Sequence, residues 1–254
     1  MKIRILGSGT SSGVPRIGND WGACDPAEPR NRRTRVSLFV ETGATRILID
    51  TTPDMREQLL AADITHIDAV IWTHDHADHC HGIDDLRQIF HLMDRPVRGL
   101  ARPATLATLE QRFGYIFHGR HGYQPVVTGE PLPDMIRIGD VAIRVVDQPH
   151  GSITSAGLRF EAGGKSVGYA TDFSEMTPDM EALYRGCDLW IADALRRRPH
   201  PTHATLDSVV GWADALGTGH CVLIHMDHSM DYATLAAELP PTVEPGYDGL
   251  EFVL

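Results

Sequence analysis

The chain has 254 residues, 42% of them hydrophobic, and a formal net charge of −11. That size and apolar content can bury the core of one domain, so residues 1–254 are read as a single unit. No window approaches the ~20 consecutive apolar residues of a membrane span, four cysteines are too few for a disulfide framework, and the acidic balance disfavours a polyanionic partner.

The opening Met1-Lys2-Ile3-Arg4-Ile5-Leu6 runs straight into a strand without the apolar core and cleavage site of a signal peptide, and the expected location is cytoplasmic. Strands are predicted at 3–6, 36–41, 46–50, 69–72, 97–100, 141–146, 158–161, 166–170, 189–192, 222–224 and 250–254, from apolar runs and period-two alternation. Helices are predicted at 54–62, 83–93, 104–113, 179–184, 206–216 and 232–238, where apolar residues recur at helical spacing. Strands and helices alternate without a linker, repeat or low-complexity tract, a pattern that by itself supports a mixed α/β class.

The densest chemical signal is Thr73-His74-Asp75-His76-Ala77-Asp78-His79, which follows the apolar run 68–72. Residues i and i+2 point the same way only in extended backbone, so His74 and His76 can grip one ion from a strand end. Asp78 and His79 are adjacent and must point elsewhere, which suits a second ion held by a carboxylate and an imidazole. A histidine tag would not interleave aspartates, follow an apolar strand, or lead through Cys80-His81-Gly82 into the helical pattern at 83–93.

Two other segments invite a functional reading. Gly7-Ser8-Gly9-Thr10-Ser11-Ser12-Gly13 has its last gap one residue too long for a dinucleotide loop, and Val14-Pro15 follows it instead of a helix. The run Arg30-Asn31-Arg32-Arg33-Thr34-Arg35 is a charge cluster of the kind that is usually solvated; Arg33 is retained as a candidate phosphate contact.

His74-x-His76-x-Asp78-His79 resembles the signature of the metallo-β-lactamase superfamily. That resemblance implies a four-layer αββα sandwich of two mixed sheets flanked by helices. It also implies three further ligands from later strand ends: His150 after 141–147, Asp172 after 166–171, and His225 after 221–224. By the resemblance His150 completes the first ion's imidazoles, Asp172 bridges the ions, and His225 is the second ion's last ligand. Asp50, which closes the run 46–49, matches an aspartate beneath the metals and is assigned to orienting a ligand imidazole; a helix cap for residues 53–55 is its competing reading.

Within the superfamily, the segments 7–15, 48–50, 169–172, 202–207, 225–228 and 246–250 resemble the PhnP branch of cyclic phosphodiesterases. The resemblance implies a dinuclear hydrolase of a small cyclic sugar or nucleotide phosphodiester, with zinc or manganese lowering the pKa of a water and neutralising phosphoryl oxygens. Asp78 and Asp172 then belong to the catalytic set. His203, in Thr202-His203-Ala204-Thr205-Leu206-Asp207, is the general-acid position, with His200 the competitor. His200 and His228 join Arg33 as candidate substrate contacts.

This chain departs from that branch near its start, where Asn19, Asp20 and Trp21 stand in place of cysteines. Cys24 and His228 alone cannot fill the closed four-coordinate shell of a structural zinc, so no third metal is expected there, and packing through Trp21 is expected to hold the loop. A transfer RNA 3′-processing endonuclease shares the ligand set. It needs a basic arm, however, and only 21 residues separate His150 from Asp172 here. A non-catalytic binding or carrier role is disfavoured because every ligand position is filled. An isologous homodimer is the expected form of any self-association.

Overall fold

The computed structural model describes residues 1–254. Two seven-stranded mixed sheets pack face to face. The first is built from β1 (Lys2–Gly7), β2 (Ser37–Glu41), β3 (Arg46–Ile49), β4 (Ala69–Trp72), β5 (Val97–Ala101), β6 (Val127–Pro131) and, from the far end of the chain, β14 (Glu251–Val253), in the order β14-β1-β2-β3-β4-β5-β6. The second contains β7 (Met135–Ile138), β8 (Val141–His150), β9 (Ile153–Ala162), β10 (Lys165–Ala170), β11 (Leu189–Asp193), β12 (His220–Ile224) and β13 (Val243–Pro245), in the order β13-β12-β11-β10-β9-β8-β7.

Each sheet begins as antiparallel hairpins and becomes parallel: β3 to β6 in the first, β10 to β13 in the second. Parallel strands covered on both faces read as continuous apolar runs. Accordingly every residue of Ala69–Trp72 and of Leu189–Asp193 is buried.

Three apolar interfaces make four layers. Ile3, Leu38, Ile47, Ile71, Val145, Leu158, Ile191 and Ile224 meet between the sheets. Trp72, Leu48 and Val70 pack outward on α1 (Met55–Ala61), α3 (Leu86–Met93) and α4 (Pro103–His118), α2 being the single turn Ala77–Cys80. Trp190, Ala192 and Leu223 pack on α5 (Pro178–Tyr184), α6 (Leu206–Leu216) and α7 (Tyr232–Glu238). This is the αββα sandwich expected from the resemblance.

The elements missed from sequence are the edge strands β6, β7 and β13, and α2. Two of those strands end in proline, tolerated at an edge where a backbone donor is dispensable. The helix predicted to end at residue 113 does depart from helical geometry at Phe113 (φ −121°, ψ 33°) but resumes to His118. No helix is long and apolar enough to cross a membrane.

Candidate metal centre

The parallel strands of both sheets run toward one edge, and their carboxyl ends deliver the site, the usual place for a ligand in such sheets. Asp50 follows β3, His74 follows β4 by one residue, His150 closes β8, Asp172 follows β10 by one residue, Asp193 closes β11 and His225 follows β12. Three of these turn out of their strand through the left-handed region: Asp50 (φ 65°), Asp172 (φ 54°) and His225 (φ 57°). That conformation costs a non-glycine residue on the order of 1–3 kcal/mol and clusters where function demands a side chain in one place.

His74, His76, His150 and Asp172 bring ligand atoms within 4.8 Å of one another, and Asp78, His79 and His225 form a second such group. Asp172 stands between them. Its Oδ2 lies 3.7 Å from His74 Nε2 and 3.6 Å from His150 Nε2, while its Oδ1 lies 3.2 Å from His79 Nε2 and 3.5 Å from His225 Nε2. Asp78 Oδ2 faces the second group alone, 3.4 Å from His79 Nε2 and 3.6 Å from His225 Nε2. The extended backbone of His76 (φ −65°, ψ 150°) lets it join His74, and α2 then rotates Asp78 and His79 toward the other group.

The donor set fits two cations. The Nε2 atoms of His74, His79 and His225 are buried without a hydrogen-bond partner, a costly arrangement unless another ligand completes them. Ligands about 2.0–2.1 Å from a tetrahedral ion stand roughly 3.3 Å apart, close to the spacings above.

Charge points the same way. Burial works against a protonated His79, but the carboxylates of Asp172, Asp78 and Asp50 outweigh it and hold its pKa well above the ordinary value. His225 is likewise opposed by burial yet pushed up to about 9 by Asp172 and Asp193. Burial and the charge of His79 depress His74. Burial opposes an ionised Asp172, but His225, His79 and His74 hold it well below the carboxylate range. Without metal, protons on imidazoles thus balance the buried carboxylates.

A surrounding shell fixes the rings. Asp50 Oδ2 lies 2.8 Å from His79 Nδ1 and accepts from the Thr73 hydroxyl at 2.9 Å, while its Oδ1 accepts from the Thr73 amide at 2.8 Å. Asp50 therefore holds the His79 ring and does not cap α1, whose N-cap is Asp54. His150 Nδ1 donates to the Thr202 carbonyl at 2.9 Å. His203 directs Nε2 to within 3.9 Å of Asp172 Oδ2 and stacks on His225. Its Nδ1 lies 2.6 Å from Asp193 Oδ2.

Asp193 was missed from sequence. Fully buried, it also places Oδ1 3.8 Å from His225 Nδ1, so one carboxylate faces both rings. The available signal was an apolar strand closing on an aspartate, the pattern that drew attention to Asp50 and Asp172.

His200 and His228 lie outside the ligand groups. His200 bonds through Nδ1 to the Thr202 hydroxyl at 3.1 Å, and His228 packs against Gly22 with Nε2 3.6 Å from Asp20.

Arg33 requires a correction: it is no phosphate contact. Its guanidinium is buried and donates to the carbonyls of Asp227 (3.3 Å) and Met230 (2.6 Å) and to Asn31 Oδ1 (3.3 Å), stitching the first loop to the segment after His225. The loop is held by Arg33 rather than by Trp21, which remains partly exposed. Arg33 Nη1 also sits 4.0 Å from Cys24 Sγ, where a positive charge opposes a cation at that thiol. The close passage of this loop explains the early glycines: a Cβ on Gly9 would lie 2.8 Å from that of Arg33.

The model of the beta-lactamase superfamily domain matches residues 45–226. A crystal structure described as a new diphosphatase from the PhnP family superposes with a TM-score of 0.90 at 36% identity, covering 99% of this chain and 96% of that one. The chain belongs to the beta-lactamase superfamily, in its PhnP family. It is also similar to an octanoyltransferase of Porphyromonas gingivalis, 34% identical over 100% of this chain, but spans only 52% of that protein. Zinc-bound PqqB from Methylobacterium extorquens shares the fold, with a TM-score of 0.79 at 20% identity over 100% of each chain. PhnP-family membership accounts for the ligand order along the sequence, and the strand ends account for its convergence in space.

Proposed function

We propose that this PhnP-family protein is a dinuclear metal-dependent phosphodiesterase acting on a small, cyclic sugar or nucleotide diester. The observation that carries the reading is Asp172, one buried carboxylate whose two oxygens face two separate ligand groups. His74, His76, His150 and Asp172 would hold one ion, and Asp78, His79, His225 and Asp172 the other. Bound divalent ions would supply Lewis-acid polarisation of the phosphoryl oxygens and a water nucleophile usable at neutral pH.

The remaining chemistry belongs to the chain. Hydrolysis forms a bond from water oxygen to phosphorus and breaks the bond to the leaving oxygen, which needs a proton. His203 supplies it from Nε2, the atom facing the centre, while Asp193 accepts from Nδ1 and stabilises the protonated ring. His200 supports the loop through Thr202. Asp50 and the Thr202 carbonyl keep the ligand nitrogens of His79 and His150 aimed inward.

A small substrate is favoured by the segment between His150 and Asp172, which is spent on β9, a Gly163-Gly164 turn and β10 and leaves no basic arm for an RNA. A second reading, cleavage of a diphosphate linkage, is favoured by the diphosphatase description of the 36% identical relative. Chelator-stripped protein reloaded separately with manganese and zinc, assayed on bis(p-nitrophenyl) phosphate, a cyclic ribose phosphate and a nucleoside diphosphate, tests both. Metal-restored diester turnover that vanishes in Asp172→Ala supports the phosphodiesterase; turnover of the diphosphate alone selects the second reading.

A further inference from the structure

Beneath the Asp172 turn, three buried polar side chains stand together: Tyr184 of α5, Gln148 of β8 and Ser155 of β9, none more than 1% exposed. The Tyr184 hydroxyl shares its hydrogen between Gln148 Oε1 (2.8 Å) and the Tyr169 carbonyl (3.0 Å). Gln148 Nε2 donates to Ser155 Oγ and to the Thr171 carbonyl, both at 2.9 Å. Ser155 Oγ in turn donates to the Asp172 carbonyl at 2.8 Å, with the Thr171 carbonyl 3.0 Å away. A backbone carbonyl only accepts, so the amide nitrogen of Gln148 must face Thr171 and its oxygen the tyrosine.

This chain of hydrogen bonds ends on the backbone of the one carboxylate that faces both ligand groups. Backbone pairing of β9 with β10 stops at Tyr169, opposite Leu158, short of Asp172. Beyond that point Gln148 and Ser155 supply hydrogen bonds to the carbonyls of Thr171 and Asp172. The two side chains belong to residues paired across β8 and β9, so they also tie the strand end carrying His150 to the turn carrying Asp172. Asp172 needs such support, because its φ of 54° persists only where the surroundings over-determine it. Glycine makes room for the chain: a Cβ on Gly157 would collide with Tyr184 Oη and lie 2.7 Å from Gln148 Oε1. Burying polar groups costs desolvation that apolar side chains would avoid. A fully satisfied network offsets that cost and fixes a single arrangement.

We infer that Gln148, Ser155 and Tyr184 are positioning residues for the metal centre. They act through the backbone at residues 171–172 to fix the aim of the Asp172 carboxylate, so that its two oxygens divide between the two ligand groups. The inference rests on the two-ion reading of the centre and not on the identity of the substrate.

The test uses full-length protein loaded with manganese and compares Ser155→Ala, Gln148→Leu and Tyr184→Phe with Ile143→Val, a core change in the same sheet that removes no polar atom. Competition with a chelating dye should show manganese affinity lowered roughly 10- to 100-fold in Ser155→Ala and Gln148→Leu, the usual range when a ligand loses its support. Tyr184→Phe, which loses one hydroxyl at the far end of the chain, should lower it about two- to tenfold. At two equivalents of manganese, electron paramagnetic resonance should change from the spectrum of a coupled ion pair in the parent to that of separate ions in Ser155→Ala. Ile143→Val, which also loosens the core, should keep the parent affinity and spectrum. Tyr184→Phe retains the ring and so reads the chain even where the other substitutions unfold the sheet. Unchanged affinity and spectrum in the folded variants, or the same losses in Ile143→Val, overturn the positioning role. The metal readouts decide the inference whatever the turnover. A parent that binds two coupled ions but leaves bis(p-nitrophenyl) phosphate intact loses the phosphodiesterase reading alone, and a parent that binds a single ion overturns the inference.

Discussion

Replacing His203 by alanine separates proton delivery from metal binding. The ring is 11% exposed, its Nε2 lies 3.9 Å from Asp172 Oδ2, and its Nδ1 is held 2.6 Å from a fully buried aspartate. A ligand atom of His203 also lies within 4.8 Å of those of Asp172 and His225, but its Nδ1 is engaged by Asp193 and seven other side chains fill the two groups around Asp172, which suits Nε2 to proton delivery. General acid catalysis contributes roughly 10²- to 10⁴-fold, about 2.7–5.4 kcal/mol of barrier. The full loss is expected for diesters that expel an alkoxide, which cannot leave without a proton. For p-nitrophenyl diesters, whose phenolate departs unprotonated, kcat is expected to fall less than about tenfold. Asp193→Asn weakens the same unit through a charge-assisted hydrogen bond and should cost about 10- to 100-fold on the alkoxide substrate only. The assay is kcat on the two leaving groups at matched metal content, measured by elemental analysis. Equal losses on both, or a drop in bound metal, would refute the assignment and make His203 a support for His225.

Four further outcomes are expected. Asp50→Ala frees the Nδ1 side of His79, and metal affinity should fall about 10- to 100-fold in a competition titration with a chelating dye; unchanged affinity would count against the orienting role. Metal binding near pH 7 should release about two protons, because His79 and His225 carry raised pKa values in the metal-free fold and must be neutral to ligate. By linkage, the stability those two rings lend the metal-free protein is fully present below their unfolded value of about 6.5. It is lost as pH rises through the folded values, about 9 for His225. Calorimetry in buffers of differing ionisation enthalpy and urea melts of metal-free protein at pH 6.5 and 9 check both statements. Arg33→Gln should lower stability by about 2–4 kcal/mol, since it strips donors from buried carbonyls, while leaving KM near the parent value; a raised KM with intact stability would restore Arg33 as a substrate contact.

Of the seven candidate ligand side chains, His74, His76, Asp78 and His79 were legible from their spacing in one short run, whereas His150, Asp172 and His225, each at the end of an apolar strand, were picked out by the family resemblance. The fold class was legible from alternation, and its four layers from the family resemblance. Edge strands escaped notice because β6, β7 and β13 are hydrogen-bonded along one side only and need no apolar run. Arg33 misled because sequence shows a charge and not its surroundings: a guanidinium in a basic run looks solvated until its carbonyl partners, almost two hundred residues away, are in place.

By itself the sequence determined which groups could bind metal and in what order they occur, since ligand chemistry and strand periodicity are properties of short stretches of chain. Tertiary structure decided that one carboxylate faces two ligand groups, that Asp193 binds His203 and faces His225, and that a cleft of hydroxyls opens beside His150. Those relations depend on strand ends more than a hundred residues apart meeting within a few ångströms, which the packing of two sheets brings about and no local pattern encodes.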